Sequence, residues 1–405
     1  MFSRRQRQLH QSLEWLLVLT LIGYPIAGLL SSGFDWNSTV TSIPFRAGVF
    51  LLSLWIIFRA HPTRQKNRPL RWLLGFWLIY LIRLIWDWAV IGVPGSLETL
   101  VYFVGTTLLP CIALTYWPPR IQIHRVAPKL VWIGASICVA AILMDSLQIG
   151  VERSLTERTG RLSFEAVNPI TLGHVAATTM IAILCMMHRR LDAVTKIGLA
   201  FTSVAATTCL VLAASRGPLV ALGAAAIVFV GATGRWHWLA ILALLLLPSA
   251  LDQDNELWSR FLSIDEDQSA LERLLLQGNA IAQFLNNPIL GSAYIELEFL
   301  EYPHNLFIET GMALGIFGLS LLFIFLAKSA SVAMRLTRHS EFLIPMLFMQ
   351  YFIGAQLSGA IFGNAGLWAT TAILLNLARR PGPKKTGPPI TSSAGISLSF
   401  ATLYR

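Results

Sequence analysis

Residues 305–328 read NLFIETGMALGIFGLSLLFIFLAK, and this apolar run decides the fold class. A helix of this length rises about 36 Å, enough to cross a hydrocarbon core about 30 Å thick. Similar runs recur along all 405 residues, of which 55% are hydrophobic and only 13% are charged. Strand-like alternation does not accompany them, and helices satisfy their own backbone hydrogen bonds in lipid. The sequence therefore predicts an all-α, polytopic membrane protein rather than a soluble domain.

Together with this run, the other apolar segments of the chain predict about 12 transmembrane helices. The expected spans are 12–30, 45–59, 70–93, 98–117, 130–149, 169–187, 195–214, 218–234, 236–250, 305–328, 342–357 and 361–378. They give nine helices within 1–250, a large polar loop at 251–304, three helices within 305–378 and a tail at 379–405. The tail is rich in Pro, Gly, Ser and Thr, a composition typical of disorder.

The positions of the basic residues predict the topology. Every second loop is rich in basic residues, and the loops between them carry few charges. The basic loops include 59–71, 120–129, 189–196, 328–338 and 379–385. By the positive-inside rule these loops are cytoplasmic, as are both termini, so that the loop at 251–304 lies on the outer face. Topology thus explains most of the net charge of +10, which does not require nucleic acid. All four cysteines lie in apolar runs, and we expect neither a disulfide nor a thiolate metal site.

The basic residues left on the outer face are all arginines. They are Arg46, Arg153, Arg158, Arg161, Arg216, Arg260 and Arg273. The planar fork of arginine suits bidentate contacts to phosphate, although ion pairing with nearby glutamates is the alternative. Arg216 is the most informative, because Ser215-Arg216-Gly217-Pro218 joins two apolar runs with almost no loop. A guanidinium at the membrane surface needs an anion, either a ligand or a carboxylate of the protein.

The outer loop is predicted to contain a short amphipathic helix. The capping-box pattern at Ser269 opens it, and it ends near Leu285, before Pro288. Its leucines are expected to rest on the spans or on the membrane interface. Arg273 lies in its first turn, where a positive charge contributes little to helix stability and is better explained by ligand binding; a solvated surface charge is the alternative.

Two histidines, His174 and His304, lie on the outer side. His304 opens the span at 305–328, and a neutral imidazole there can remove a proton from a hydroxyl. His174 is expected to be packed and hydrogen-bonded. Within the bilayer, Arg83 and Asp87 are four residues apart, and a same-helix ion pair is the simplest interpretation. Their further roles, and that of Asp145, stay open.

Several short motifs together resemble those of the O-antigen ligase and polymerase superfamily. They are Ser215-Arg216-Gly217, Arg273 followed by Asn287-Pro288-Ile289-Leu290-Gly291, His304-Asn305 followed by Glu309, and Gly315-Ile316-Phe317-Gly318. Arg158-Thr159-Gly160 and Asn168-Pro169 are similar to a weaker motif of that superfamily. The chain departs from the pattern at Ala313, where many members carry a second acidic residue.

This resemblance implies an inverting glycosyltransferase of the GT-C type in the bacterial inner membrane, with a periplasmic active site. Within the superfamily, the twelve predicted spans and the single large outer loop resemble those of O-antigen ligases, which move O-antigen from undecaprenyl diphosphate to lipid A-core. His304 would be the catalytic base, and the substrate-binding residues would be Arg216, Arg273, Arg158, Arg161 and Asn305. With arginines neutralising the diphosphate, neither a metal nor a cofactor is expected.

Two other functions stay open. An O-antigen polymerase shares every motif and differs only in its acceptor, another carrier-linked glycan. A transporter of an anionic lipid-linked glycan would also use arginines, but it predicts similarity between the two halves of the chain and a substrate site near the midplane. We find no such repeat, and the candidate residues lie toward one face.

Overall fold

The computed structural model describes residues 4–60, 68–117, 125–151, 161–188, 191–251, 257 and 268–378. Thirteen helices occupy these ranges. They are α1 (Arg4–Gly33), α2 (Ser38–Arg59), α3 (Leu70–Ile91), α4 (Ser96–Leu114), α5 (Val126–Ser146), α6 (Pro169–Met187), α7 (Ala193–Leu212), α8 (Arg216–Thr233), α9 (His237–Leu251), α10 (Gln268–Asn286), α11 (Leu306–Arg338), α12 (Leu343–Leu357) and α13 (Ala365–Leu377). The predicted disordered tail at 379–405 lies outside the described residues.

The helices confirm an all-α, multi-pass membrane protein. Nine helices in the described part of the chain are long and apolar enough to cross a membrane. Three further apolar helices, α9, α12 and α13, have 15, 15 and 13 residues. Together they occupy the regions of all the predicted spans. Large apolar side chains such as Phe58 and Phe201 are 82% and 74% exposed, as expected for surfaces that face lipid.

The first residues of α2 correct one predicted boundary. The sequence predicts a span at 45–59, whereas the helix begins at Ser38. Asn37 caps it by accepting a hydrogen bond from the backbone amide of Thr39 at 2.9 Å. The first turns are rich in hydroxyl side chains, which hides the helix in a hydropathy profile. Arg46 consequently lies two turns inside a helix rather than at the start of one.

The short helix α13 lies at the centre of the bundle, where nearly every one of its residues is buried. It packs against α3, α4, α11 and α12. The sequence predicts its span from residue 361, but residues 358–364 are not helical and the helix begins at Ala365. Gly359 adopts φ of 104°, in a region that side chains rarely enter. Irregular backbone at membrane depth is tolerated where it lines a cavity, and this segment does so.

Helix α11 is interrupted at Gly315, where φ is 62° and ψ is −158°. The turn at Pro288 docks into this break, since the amide of Ile316 donates to the carbonyl of Pro288 at 2.9 Å. A Cβ on Gly315 would lie 2.3 Å from the carbonyl oxygen of Ile289, and one on Gly291 would lie 2.4 Å from the backbone of Ala313. The two glycine motifs of the sequence therefore allow two backbone segments to pack directly on each other.

Arg83 holds this junction together from α3. Its guanidinium donates to the carbonyl of Ala313 at 2.9 Å. It also donates to three consecutive carbonyls of the docked turn, those of Leu290, Gly291 and Ser292, at 2.9–3.2 Å. Carbonyls released by a broken helix need such donors in a membrane. Arg83 is thus chiefly a backbone clamp.

The predicted ion pair between Arg83 and Asp87 is present, with Nη1 of Arg83 3.4 Å from Oδ1 of Asp87. Asp87 is fully buried, and its other oxygen accepts a hydrogen bond from the amide of Tyr294 at 2.7 Å. Both partners of the pair thereby hold the segment that follows α10. The charged pair in α3 fixes the segment that leads to His304.

Helix α10 confirms the predicted amphipathic helix, with a packed face that only partly matches the predicted one. Leu276 and Ala280 are buried, and Phe284 approaches Gly311 of α11. The leucines expected to rest on the spans or the membrane interface, Leu271 and Leu274 among them, are more than half exposed. They therefore do not pack on the spans, and their contact with the membrane interface stays a prediction.

Candidate functional site

The carboxyl end of α12 gathers the predicted site residues. Nη1 of Arg273 donates to the carbonyl of Leu357 at 3.1 Å. Nδ2 of Asn305 donates to the neighbouring carbonyl of Gln356 at 3.3 Å. A Cβ on Gly217, the residue after Arg216, would lie 3.7 Å from Leu357. Segments from α8, α10 and α11 thus meet at one helix end.

Arg161 lies beside the turn that leads into α8. Its Nε donates to the carbonyl of Ala213 at 3.3 Å, and the amide of Leu162 donates to the carbonyl of Leu212 at 2.8 Å. Arg161 therefore belongs to the same end of the bundle as Arg216. Arg158, the remaining predicted arginine, lies outside the described residues, and its role stays a prediction.

His304 is held in an unusual backbone conformation between Pro303 and the start of α11. Its φ is 56°, in the left-handed region, a conformation that costs about 1–3 kcal/mol and clusters at functional sites. The adjacent Asn305 caps α11 by accepting from the amides of Phe307 and Ile308. Capping fixes the start of the helix, and the strained residue before it directs the imidazole into the cavity.

The imidazole of His304 lies against the ring of Tyr302, with 4.5 Å between centroids. Nδ1 is buried and has no hydrogen-bond partner among the described residues. Burial lowers the pKa of His304 to about 4, and the positive charge of Arg273 acts in the same direction. The imidazole is therefore neutral near pH 7, the protonation state that a base requires.

His304 lines a cavity of about 420 Å³ that extends between α1, α2, α4, α6 and the 358–364 segment. Other polar residues on its wall are Arg46, Tyr102, His174, Tyr302 and Asn364. Two of its walls contain π-helical turns, at Leu19–Gly23 and Phe103–Leu108. Such turns widen a helix and are frequent at functional sites. Hydrophobic periodicity does not reveal them.

Glu309, the acidic residue of the signature, fixes the floor of this cavity. Its side chain is fully buried, and both carboxylate oxygens accept from the amide of Ile361, at 2.9 and 3.0 Å. The carbonyl of Ile361 accepts in turn from the indole of Trp368 at 2.7 Å. Glu309 thus positions the non-helical segment opposite His304 and does not itself face the cavity.

His174 is packed and hydrogen-bonded, as the sequence predicts. Its ring lies 5.9 Å from that of Tyr351, nearly parallel to it. Nε2 of Gln350 donates to the His174 carbonyl at 3.1 Å. The ring also leaves no room for a side chain at Gly354, where a Cβ would lie 2.6 Å away. These contacts favour a structural role for His174 on the cavity wall.

Arg46 is the functional candidate that sequence reasoning missed. Its guanidinium lies over the rings of Tyr24 and Tyr102, 5.5 and 4.9 Å from their centroids. The residue is visible in the sequence among the arginines of the outer face, but its depth and its aromatic partners depend on how α1, α2 and α4 pack. Its place on the cavity wall adds a positive charge to the site.

Comparison with known protein families supports the predicted resemblance. Residues 201–323 match the sequence profile of the O-antigen ligase family. The matched range contains Arg216, Arg273, His304 and Glu309. A comparison with curated proteins finds no match. The match covers less than half of the chain and shows that this part of it is similar to the O-antigen ligase family.

Proposed function

We propose that this chain, whose residues 201–323 match the O-antigen ligase family, is an O-antigen ligase. It takes polysaccharide from undecaprenyl diphosphate and attaches it to lipid A-core at the periplasmic face of the bacterial inner membrane. The observation that carries the proposal is the meeting of Arg273, of Asn305 next to His304, and of the turn of Arg216 at the carboxyl end of α12.

The chemistry follows from the charges of these side chains. Nε2 of neutral His304 removes the proton of an acceptor hydroxyl as its oxygen attacks the anomeric carbon. The bond between that carbon and the diphosphate oxygen breaks, and undecaprenyl diphosphate leaves with the bonding electrons. Arg216 and Arg273 stabilise the departing diphosphate, with Arg161 and Arg158 beside them. Attack opposite the leaving group inverts the anomeric configuration.

An O-antigen polymerase is the nearest alternative and would use the same site. Only the acceptor differs, and the preference for a ligase follows from the single large outer loop and the layout of the spans. Transport is less well supported, because the candidate residues gather at one end of the helices. The expectation that no metal takes part stays a prediction.

A reconstituted transfer assay tests the proposed function. The purified protein in proteoliposomes is mixed with undecaprenyl-diphosphate-linked glycan and either lipid A-core or a second carrier-linked glycan. A ligase produces glycan ladders on lipid A-core. A polymerase lengthens the carrier-linked glycan instead, which would retain the site but replace the acceptor. Absence of both products with active donor preparations would contradict a transferase.

Arginine variants test the site that binds the diphosphate. Arg216→Ala and Arg273→Ala are each expected to lower kcat/KM about 10²- to 10³-fold, the usual cost of removing one donor to a developing oxyanion. Arg338→Ala is the matched control, because Arg338 is an exposed arginine at the far end of α11. Parental kinetics in Arg216→Ala and Arg273→Ala would contradict their role. Initial rates over a range of donor concentrations provide the measurement.

The pH dependence tests the protonation state of His304. A base with a pKa of about 4 is neutral above that value and protonated below it. We therefore expect kcat/KM to be level from about pH 6 to 8 and to fall as the pH approaches 4, because kcat/KM reports the free enzyme. An anionic donor stabilises the imidazolium, so kcat should begin to fall at a higher pH. Activity that rises on acidification would contradict a neutral base.

A further inference from the structure

A groove of about 980 Å³ runs between α2 and α4, beside the cavity of His304. Its walls are largely apolar and follow helical spacing on both sides. They include Ile43, Ala47 and Phe50 of α2 and Leu97, Leu100, Val101, Val104 and Gly105 of α4. Since both helices are candidate membrane spans, the groove is open to a hydrocarbon chain at membrane depth.

The groove and the cavity meet at a polar neck. Arg46, Tyr102, Thr106 and Phe362 line both spaces. Glu98 also lines the groove, but no salt bridge joins it to Arg46 in the described part of the chain. A guanidinium two turns inside a membrane helix is costly without an anion. The charge at the neck therefore favours a ligand that is anionic at this point and apolar beyond it.

A row of aromatic rings connects the neck to the catalytic histidine. Tyr302 packs on His304, and its ring centroid lies 6.0 Å from that of Phe362. Phe362 lies 5.7 Å from Tyr102, which in turn lies under Arg46. One continuous wall thus runs from the proposed base to the guanidinium. A ligand lying along this wall reaches both.

We infer that the groove holds the polyprenyl chain of the donor and that Arg46 contacts its diphosphate, an inference that rests on the proposed function. In the donor, the diphosphate is bonded directly to the reacting carbon. The carrier chain must therefore leave the reaction centre through an opening in the catalytic cavity itself. The lipid of the acceptor is separated from its reacting hydroxyl by core sugars, so its acyl chains do not need an opening in this cavity.

The test measures binding of undecaprenyl diphosphate, without glycan, to the protein in nanodiscs. Gly105→Leu fills the groove, because a Cβ on Gly105 meets nothing within 4 Å. Gly48→Leu is the matched control: its Cβ is also in open space, and it lies on α2 but does not line the groove. We expect Gly105→Leu to raise the Kd about tenfold, as the loss of one or two buried methylenes does, and Gly48→Leu to leave it unchanged.

Inorganic diphosphate, which has no prenyl chain, distinguishes the contribution of the groove from that of the neck. Gly105→Leu should bind this ligand as the parent does, whereas Arg46→Ala should weaken both ligands. Parental binding of undecaprenyl diphosphate by Gly105→Leu would overturn the inference, as would a transfer assay in which only the acceptor KM rises. A parent protein that binds undecaprenyl diphosphate but transfers no glycan would refute the proposed function. The Kd values of the variants would still show whether the groove binds the prenyl chain.

Discussion

Replacing His304 with alanine is expected to lower the transfer rate about 10²- to 10⁴-fold, the range that general-base catalysis contributes. The buried imidazole is neutral, lines the cavity and lies within the electrostatic influence of Arg273, so its loss removes the proton acceptor and leaves the arginines in place. The measurement is kcat in proteoliposomes at saturating donor and acceptor. Thermal unfolding of the same samples establishes that each variant is folded.

The strained backbone at His304 calls for a second variant. Asparagine tolerates the left-handed conformation better than alanine does but cannot take up the proton. His304→Asn should therefore fold like the parent and be as inactive as His304→Ala. His339→Ala is the control for loss of a histidine, because His339 is exposed at the far end of α11 and should leave the rate unchanged. An active His304→Asn protein would refute the role of His304 as the catalytic base.

Replacing Arg83 with alanine is expected to have the largest effect on folding. It removes the donors for four backbone carbonyls and leaves the buried carboxylate of Asp87 without its cation. Breaking a buried pair costs about 3–5 kcal/mol, and unsatisfied carbonyls in a membrane add to this. We expect a large fall in thermal stability and a low yield of folded protein. Thermal unfolding in detergent, monitored by tryptophan fluorescence, measures the stability.

Two variants on α3 make this prediction specific. Arg83→Lys keeps the charge but not the planar fork, so its stability should lie between those of the parent and Arg83→Ala. Arg71→Ala removes an exposed arginine of the same helix and should change stability by less than about 0.5 kcal/mol. An Arg83→Ala protein that unfolds at the parental temperature would show that the clamp is dispensable.

The fold class was predictable because it depends on the composition of single segments. Each apolar run, such as 305–328, indicates a span without knowledge of its neighbours. The start of α2 was not predictable in this way, since Ser38 and Thr39 lower the local hydropathy while Asn37 caps the helix. The late start of α13 also escaped prediction, because residues 358–364 are held by the distant Glu309.

The candidate site was predictable where a residue type conflicts with its surroundings. Arg216 in a tight turn and His304 at the start of a span are such cases, and the structure brings their segments to one helix end. The clamp of Arg83 could not be foreseen, because its carbonyl partners are more than 200 residues away in sequence. A same-helix ion pair with Asp87 already accounts for the charge of Arg83 in the sequence. Arg46 was missed because its setting depends on three helices.

The most direct test of the site compares donor binding with turnover in the same two variants. Undecaprenyl-diphosphate-linked glycan is titrated onto the parent, His304→Ala and Arg216→Ala, and a single round of transfer to acceptor is then followed at saturating donor. If His304 is the base and Arg216 holds the diphosphate, His304→Ala binds donor with the parental Kd and transfers it about 10²- to 10⁴-fold more slowly, whereas Arg216→Ala binds it weakly. Single-turnover transfer at the parental rate in His304→Ala would contradict the account.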